Sequence, residues 1–358
     1  MINIDEKLED YFQGFVKGKP LFLNKKALQS DYIPERVEHR ENEIEQIARI
    51  IAPSLRMERP SNIFVYGKTG TGKTLCVNIV MNKVKDIALQ QKIPLEVMYI
   101  NCKLKRVADT EYRLISEIIS QLGGSVPYTG LPTGEIYKEF FNIIEKNKKV
   151  LILILDEIDQ LVEKIGDEIL YSLTRINSEL KSSQVSFIGI SNDLVFIDLI
   201  DPRVKSSLSE EEIIFAPYNA TQIKDILASR SKFAFSEGTV SEGVIAKCAA
   251  YAAREHGDAR RAIELLRVAG ELAERENLDI IKIDHIDKAD DKIERDRVVE
   301  AVELYPKQFN IVLYTILSIY EERRDYILTG EIYDCYKQLC TKFKARPLTQ
   351  RRISDIIG

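Results

Sequence analysis

Between residues 62 and 216 five short apolar runs recur: NIFVY (62–66), LEVMYI (95–100), VLILIL (150–155), VSFIGI (185–190) and EIIFA (212–216). Most are continuously apolar rather than alternating, so they need cover on both faces. Strands of that kind belong to a parallel sheet with helices packed on either side. The segments between them have a helical period. ADTEYRLISEIISQLGG puts Tyr112, Ile115, Ile118, Ile119 and Leu122 on one stripe, with Asp109 as the expected cap and Gly123-Gly124 as the stop. DEILYSLTRINSEL repeats the pattern with Leu170, Leu173, Ile176 and Leu180. The fold class expected from this alternation is α/β.

After Pro217 the strand pattern stops. From 219 to about 275 only helical patterns appear, which predicts a small all-helical domain. Residues 280 to 298 are charged and read as a connector finishing in a helix. Two amphipathic helices follow 300, and a third begins at LTQRRISDIIG. A chain of 358 residues is long enough for two or three such domains. The longest apolar run is strand-sized, so a membrane partner is not expected. The acidic, polar N-terminus MINIDEKLED is unlike a secretory signal. Five cysteines without a CxxC pair read as reduced thiols, which fits a cytoplasmic protein. The net charge of −5 gives no global reason to expect nucleic acid, so any such partner must meet a local basic surface.

The chemistry starts at IFVYGKTGTGKTLCV (63–77), where an apolar strand runs into a glycine loop and then a helical pattern. Gly67, Gly72, Lys73 and Thr74 fit G-x-x-x-x-G-K-[ST]. In that pattern glycines turn backbone N–H groups toward phosphates, the lysine reaches the outer ones and the hydroxyl ligates Mg2+. The whole loop with its flank, Gly67, Lys68, Thr69, Gly70, Thr71, Gly72, Lys73, Thr74 and Leu75, is the expected nucleotide cradle. LILILDEIDQL supplies the second element, with Asp156 placed at a strand's carboxyl end to hold Mg2+ through water and Glu157 to polarise an attacking water. A base of that kind favours hydrolysis over transfer to an acceptor. The absence of an NKxD motif favours ATP, with ADP as product, over GTP.

Three further polar residues stand out. Asn192 ends the next apolar strand, where an amide either orients the attacking water or caps a turn. Arg260 falls in the first turn of the helix opened by HGDAR, where the helix dipole disfavours a cation unless an anion is near; the alternative is a solvated arginine. Arg203, in DPRVKSSL, either reaches a nucleotide, its own or a neighbouring subunit's, or lies on the surface.

YIPERVEHRENEIEQI, DEID, SNDL, IDPRVKSSL, FAPYNATQI and GDARRAIELLR follow one another in an order and spacing that resemble the archaeal replication-initiator ATPases. These are relatives of the eukaryotic origin-recognition and cell-division-control initiator subunits, in the AAA+ class. The resemblance runs from about residue 10 to the last residue. It implies a five-stranded P-loop AAA+ domain with an adenine-contacting N-terminal segment (1–217), a helical lid (218–280), a connector helix (281–299) and a C-terminal winged-helix domain (300–358). A winged helix needs a β-hairpin after its third helix and nothing follows Gly358, so the wing is expected to be missing. By matching positions, the resemblance makes Asn192 the first sensor, Arg260 the second and Arg203 the arginine finger. It brings Tyr218 and Arg230 to the nucleotide, with Val37 and Arg40 nearest the adenine. It also assigns Lys103, Lys105, Arg106 and Arg113 to an initiator-specific insertion that touches DNA.

The implied function is that of a replication initiator that binds duplex origin DNA and uses slow ATP binding and hydrolysis as a conformational switch. Paralogous initiator subunits and the replicative helicase are the implied partners, and the location is cytoplasmic, at the nucleoid. The alternative is a clamp-loader-like or other AAA+ remodelling ATPase without origin-specific binding. Composition near the C-terminus separates the two. From Cys335 to Ser354 there are six basic residues (Lys337, Lys342, Lys344, Arg346, Arg351, Arg352) and no acid, an asymmetry that asks for a polyanion. Arg346, Gln350, Arg351 and Arg352 are the expected DNA contacts there, with Ile353, Ile356 and Ile357 turned to a core.

Overall fold

The computed structural model describes residues 12, 20–29, 32–34, 36–103, 109–127, 130–146, 148–196, 200–208 and 210–358. Five strands, β1 (Ile63–Tyr66), β2 (Leu95–Asn101), β3 (Val150–Asp156), β4 (Gln184–Ser191) and β5 (Glu211–Ile214), pair in parallel in the order β2-β3-β4-β1-β5. All seven residues of β3 are buried, and seven of the eight in β4, as continuous apolar runs require. One face of the sheet packs Phe64, Met98, Leu153 and Phe187 against α3 (Glu111–Gln121), α4 (Thr133–Glu145), α5 (Ile158–Ile165) and α6 (Glu168–Glu179). The other packs Val65, Ile152, Ile154 and Ile188 beneath α1 (Glu41–Ile51) and α2 (Lys73–Gln91). Each such side chain contributes about 1.5–3 kcal/mol on burial, so the strand ends are held firmly where they present polar groups.

The helical stripes lie inward as their period predicts: Ile115, Ile118, Ile119, Leu170, Leu173 and Ile176 are buried, while Tyr112, Leu122 and Leu180 pack half-buried at the margin. The cap of α3 differs from expectation. Thr110, not Asp109, accepts the Arg113 N–H at 3.2 Å. Asp109 is engaged instead with the side chains of Arg113 (3.1 Å) and Lys164 (3.6 Å). A short helix, α7 (Pro202–Leu208), precedes β5.

Beyond β5, α8 (Ala220–Ala234), α9 (Val244–Arg254) and α10 (Ala259–Arg275) form the all-helical part. An Asn219/Gln222 capping box starts α8, and Asp258 caps α10. Ile223, Leu227, Val244, Cys248, Leu265 and Leu266 make its interior. The N-terminal segment belongs partly to this body, since Leu23 N–H donates to Ala234 O at 2.8 Å.

The chain divides into two compact units, the second being Asp287–Gly358. The charged connector is helical over α11 (Ile283–Leu304), longer than its composition suggested. Within the second unit α12 (Lys307–Arg323), α13 (Thr329–Lys342) and α14 (Gln350–Ile357) enclose Ile311, Val312, Ile332, Tyr336, Cys340 and Ile353. Ile356 packs at the edge of this core, but Ile357 is exposed, because it lies about 100° further round a helix whose buried stripe is already filled. All five cysteines are free thiols. Among the described residues no helix is long and apolar enough to cross a membrane.

Candidate nucleotide-binding site

β1 lies beside β4 and β5, and β3 lies on the far side of β4, so the sheet order leaves a crevice at the carboxyl ends of the strands. The glycine loop leaves β1 and opens α2 above this crevice. Gly70 and Gly72 take left-handed backbone conformations at φ 73° and 92°. A Cβ on Gly70 would stand 1.7 Å from Asp258 Oδ1, and one on Gly72 would stand 2.9 Å from the Tyr218 hydroxyl, so bulk is excluded at both positions. Lys73 is buried and donates to the carbonyls of Gly67 (2.6 Å) and Lys68 (2.8 Å). Thr71 donates to Lys68 O at 2.8 Å, which tightens the loop. Lys68 and Thr69 are exposed at its tip.

Asp156 is buried at the end of β3 and needs donors to offset its desolvation. Thr74 Oγ1 donates to its Oδ2 at 2.9 Å and the Glu157 N–H to its Oδ1 at 2.9 Å. A hydroxyl and a carboxylate in direct contact are the hard oxygen donors that suit Mg2+, so Thr74 and Asp156 fit the ion that the loop implies. Glu157 has a left-handed backbone (φ 56°, ψ 48°), a strained conformation for a residue with a side chain. Its Oε2 lies 3.7 Å from the Lys103 ammonium.

A cleft of about 1330 Å³ extends from these groups to the N-terminal segment and the helical part. Gly70, Gly72, Lys73, Thr74, Leu75, Asp156, Glu157, Asn192, Tyr218 and Arg260 all line it. Val37 and Arg230 line the other end, among Leu28, Tyr32, Ile226 and Ile263. Gln29, Glu38, Ser229 and Glu264 also line the cleft, so its wall is apolar and polar by turns. Arg230 is buried there against the Tyr32 ring (4.6 Å) and donates to Ala27 O at 3.2 Å. Burial lowers its pKa.

Arg40 is not among the residues that line the cleft. It is buried, but it donates to Thr71 O at 3.0 Å and to Ala216 O, pairs with Glu43 at 2.6 Å and stacks 4.1 Å from the Tyr218 ring. These contacts brace the loop from behind. Arg203 is exposed and held by Asp201 through a bidentate pair, Nε to Oδ1 at 3.0 Å and a second N–H to Oδ2 at 2.8 Å.

Three relationships were not foreseen in the sequence. Tyr99, on β2, donates to Asp156 Oδ2 at 2.6 Å. Asp159, the last acid of DEID, accepts from Ser191 Oγ at 2.9 Å and from the Asn192 N–H at 3.3 Å, tying the end of β4 to α5. The helical part touches the loop directly, because the Ala259 N–H donates to Gly70 O at 3.3 Å. The spacing D-E-I-D was a usable signal for Asp159. Nothing in an apolar strand marks Tyr99.

Electrostatics agree with a polyanion site. The Lys73 pKa is brought down to about 8, first by burial and then by the Arg260 guanidinium, with Asp156, Asp159 and Asp258 opposing. Two cations are thus held facing one cleft at a cost that a triphosphate removes.

The expected DNA contacts are distributed over both units. Arg113 is engaged with Asp109, and Lys105 and Arg106 lie outside the described residues. Arg346, Gln350, Arg351 and Arg352 are exposed. Among the described residues, Lys337 alone of the six C-terminal bases has an acidic partner, Asp334 at 2.8 Å.

Comparison with known proteins adds a family. Residues 63–217 match the AAA family of ATPases associated with various cellular activities, 224–291 the Cdc6 AAA+ ATPase-type lid domain and 300–358 the CDC6 C-terminal winged-helix domain. The ORC1-type DNA replication protein of Thermococcus onnurineus is 47% identical over 99% of this chain and 86% of its own length. That of Pyrococcus furiosus is 49% identical over 98% of this chain and 84% of its own. Among solved structures, the Aeropyrum pernix ORC1 protein in complex with DNA superposes with a TM-score of 0.83 at 42% identity, covering 95% of this chain and 87% of that one.

Two outcomes are expected for Lys73. Lys73→Ala should abolish ATP binding in a fluorescent-nucleotide titration, because it removes the buried cation of the cradle; micromolar affinity in the variant would overturn the assignment. In the wild-type protein the lowered pKa means that between about pH 8 and 10 the free site holds Lys73 partly neutral, and a triphosphate restores its proton. Binding near about pH 9 should therefore take up most of a proton and binding near about pH 7 almost none, as read by calorimetry in buffers of different ionisation heat.

Proposed function

This chain belongs to the ORC1-type family of archaeal replication proteins, AAA+ ATPases with a Cdc6-type lid and winged helix. From that premise we propose that it binds duplex origin DNA and uses slow ATP binding and hydrolysis as a conformational switch, aiding the loading of the replicative helicase. The observation that carries the switch is the hydrogen bond from Ala259 N–H to Gly70 O, with Asp258 packed on the same glycine. The first turn of α10 rests on the phosphate loop itself. Phosphates in that loop would act on the lid at van der Waals distance and draw Arg260 toward them. A lid so coupled reports whether ATP or ADP is bound.

The chemistry follows from the residues. Lys73 and the loop N–H groups bind the β- and γ-phosphates, and Arg260 closes over them. Glu157 takes the proton of the attacking water as the bond between the γ-phosphorus and the β–γ bridging oxygen breaks, which leaves ADP and inorganic phosphate. Asn192, fixed by Asp159, orients that water. Mg2+, held by Thr74 and Asp156, would neutralise phosphate charge. Arg203, exposed beside Asp201, suits a neighbouring subunit's nucleotide better than its own, which makes a paralogous initiator the natural neighbour. The Lys103–Glu157 pair sets a basic residue of the DNA-contacting insertion beside the base itself. Location at the nucleoid in the cytoplasm follows from a DNA substrate.

Glu157→Gln should bind ATP as tightly as wild type and hydrolyse it a hundredfold or more slowly, on the order expected for such a group. Unchanged turnover removes Glu157 from the role of base. In wild type, turnover should stay well under about 10 per second; fast hydrolysis driven by any single-stranded DNA would indicate a motor instead.

The C-terminal unit has its own test. Reversing charge at Arg351 and Arg352 together should weaken duplex binding and make log K against log salt shallower by about two phosphate contacts. Equal binding and equal slope would place the DNA site elsewhere.

A further inference from the structure

Asp156 is the only carboxylate lining the cleft that carries donors on both oxygens among the described residues. The Glu157 N–H occupies Oδ1, while Oδ2 accepts from both Thr74 (2.9 Å) and Tyr99 (2.6 Å). The Tyr99 contact is the shorter, within the range of a charge-assisted O–H···O bond. Its origin also differs. Thr74 belongs to the first turn of α2, next to the phosphate loop, whereas Tyr99 belongs to β2, whose register with β3 pairs Tyr99 with Ile154 and Asn101 with Asp156. Residues two apart on a strand share a face, so Tyr99, Asn101 and Asp156 project together into the cleft. Tyr99 is 37% exposed on a strand otherwise apolar at that point, and it lines the cleft.

We propose that Tyr99 is a positioning residue for the divalent cation: its phenol locks the rotation of the Asp156 carboxylate so that the ion meets a preset oxygen rather than a freely turning one. This rests on the ATPase reading above. A neutral donor suits the task, because it orients the carboxylate without cancelling the charge that attracts the ion, as a lysine or arginine would. Outer-shell partners of this kind typically change metal affinity or activity by about 10–100-fold when removed.

Tyr99→Phe keeps the ring and removes the donor. The test titrates Mg2+ against wild type and variant, reading both ATP hydrolysis and the affinity for a fluorescent ATP analogue, with a parallel affinity measured in EDTA. The expected result is a roughly tenfold higher Mg2+ concentration at half-effect in both readouts, with metal-free nucleotide affinity unchanged. That unchanged affinity also certifies the fold. An identical Mg2+ profile would overturn the proposal. So would an equal loss of affinity with and without Mg2+, which would make Tyr99 a nucleotide or packing contact. Asp156→Asn provides a second route: if Tyr99 acts through Asp156, adding Tyr99→Phe to Asp156→Asn changes the Mg2+ dependence no further, whereas additive effects contradict it. Wild-type protein that neither binds nor hydrolyses ATP would defeat the ATPase reading itself, a result distinct from any of these.

Discussion

Strand β3 is buried on both faces along its whole length, and the polar groups of the cleft depend on where it ends. Burial of Leu151, Ile152, Leu153, Ile154 and Leu155 leaves the strand no freedom to slide, since a shift of one residue would exchange the two faces. The backbone of Asp156 is therefore fixed by apolar packing, and its hydrogen bonds are left to set the carboxylate. Those bonds answer the second demand, that a buried carboxylate be surrounded by donors. They come from three different elements: Thr74 from the loop helix, Tyr99 from the adjacent strand and the backbone of Glu157. One desolvated charge thus organises the meeting point of the sheet, the loop and the turn at Glu157.

The loop side of the cleft has the opposite problem. Lys73 is buried with Arg260 nearby, and the protein meets the cost with loop carbonyls and with the more distant acids Asp156, Asp159 and Asp258. A site whose fixed cations are incompletely neutralised by fixed anions stores affinity for a mobile anion. Because the α10 terminus bonds to Gly70, the same imbalance acts on the position of the lid. The strained backbone of Glu157 belongs to this economy: a left-handed residue persists only where its surroundings dictate it, and it turns the carboxylate out of the strand and into the cleft.

Much of this was legible in the sequence, for identifiable reasons. Continuous apolar runs announced the sheet, because burial on both faces leaves no room for polar alternation. Gly67, Gly72, Lys73 and Thr74 announced the loop by their spacing, and the left-handed turn at Gly72 beneath the Tyr218 hydroxyl tolerates no side chain. What escaped were relationships between residues whose individual roles looked ordinary. The resemblance brought Arg40 to the adenine, but no sequence pattern announced that it binds Thr71 O and Ala216 O and stacks on Tyr218, contacts that brace the loop. Tyr99 reads as strand filler, and only the β2–β3 register turns it toward Asp156. Ile357 read as core because its neighbours were, although the helical period had already carried it past the apolar stripe. Periodicity reports which face a residue occupies; it does not report which distant strand that face will meet.

Phosphate is the expected partner of both units, but the two meet it by different physics. In the cleft, Lys73 is buried and held by backbone carbonyls, so its charge acts through a medium that mobile salt scarcely enters. On the C-terminal unit, Arg351 and Arg352 stand in solvent at the start of α14, above Ile353, which anchors the helix without touching the charges. Attraction there is screened over roughly 8–10 Å at ordinary salt and gains its strength from released counterions. A nucleotide bound in the first way persists across salt conditions that loosen a duplex bound in the second. On the switch reading proposed above, the state of the cleft would outlast many encounters with DNA, and hydrolysis, not the ionic surroundings, would set how long that state endures.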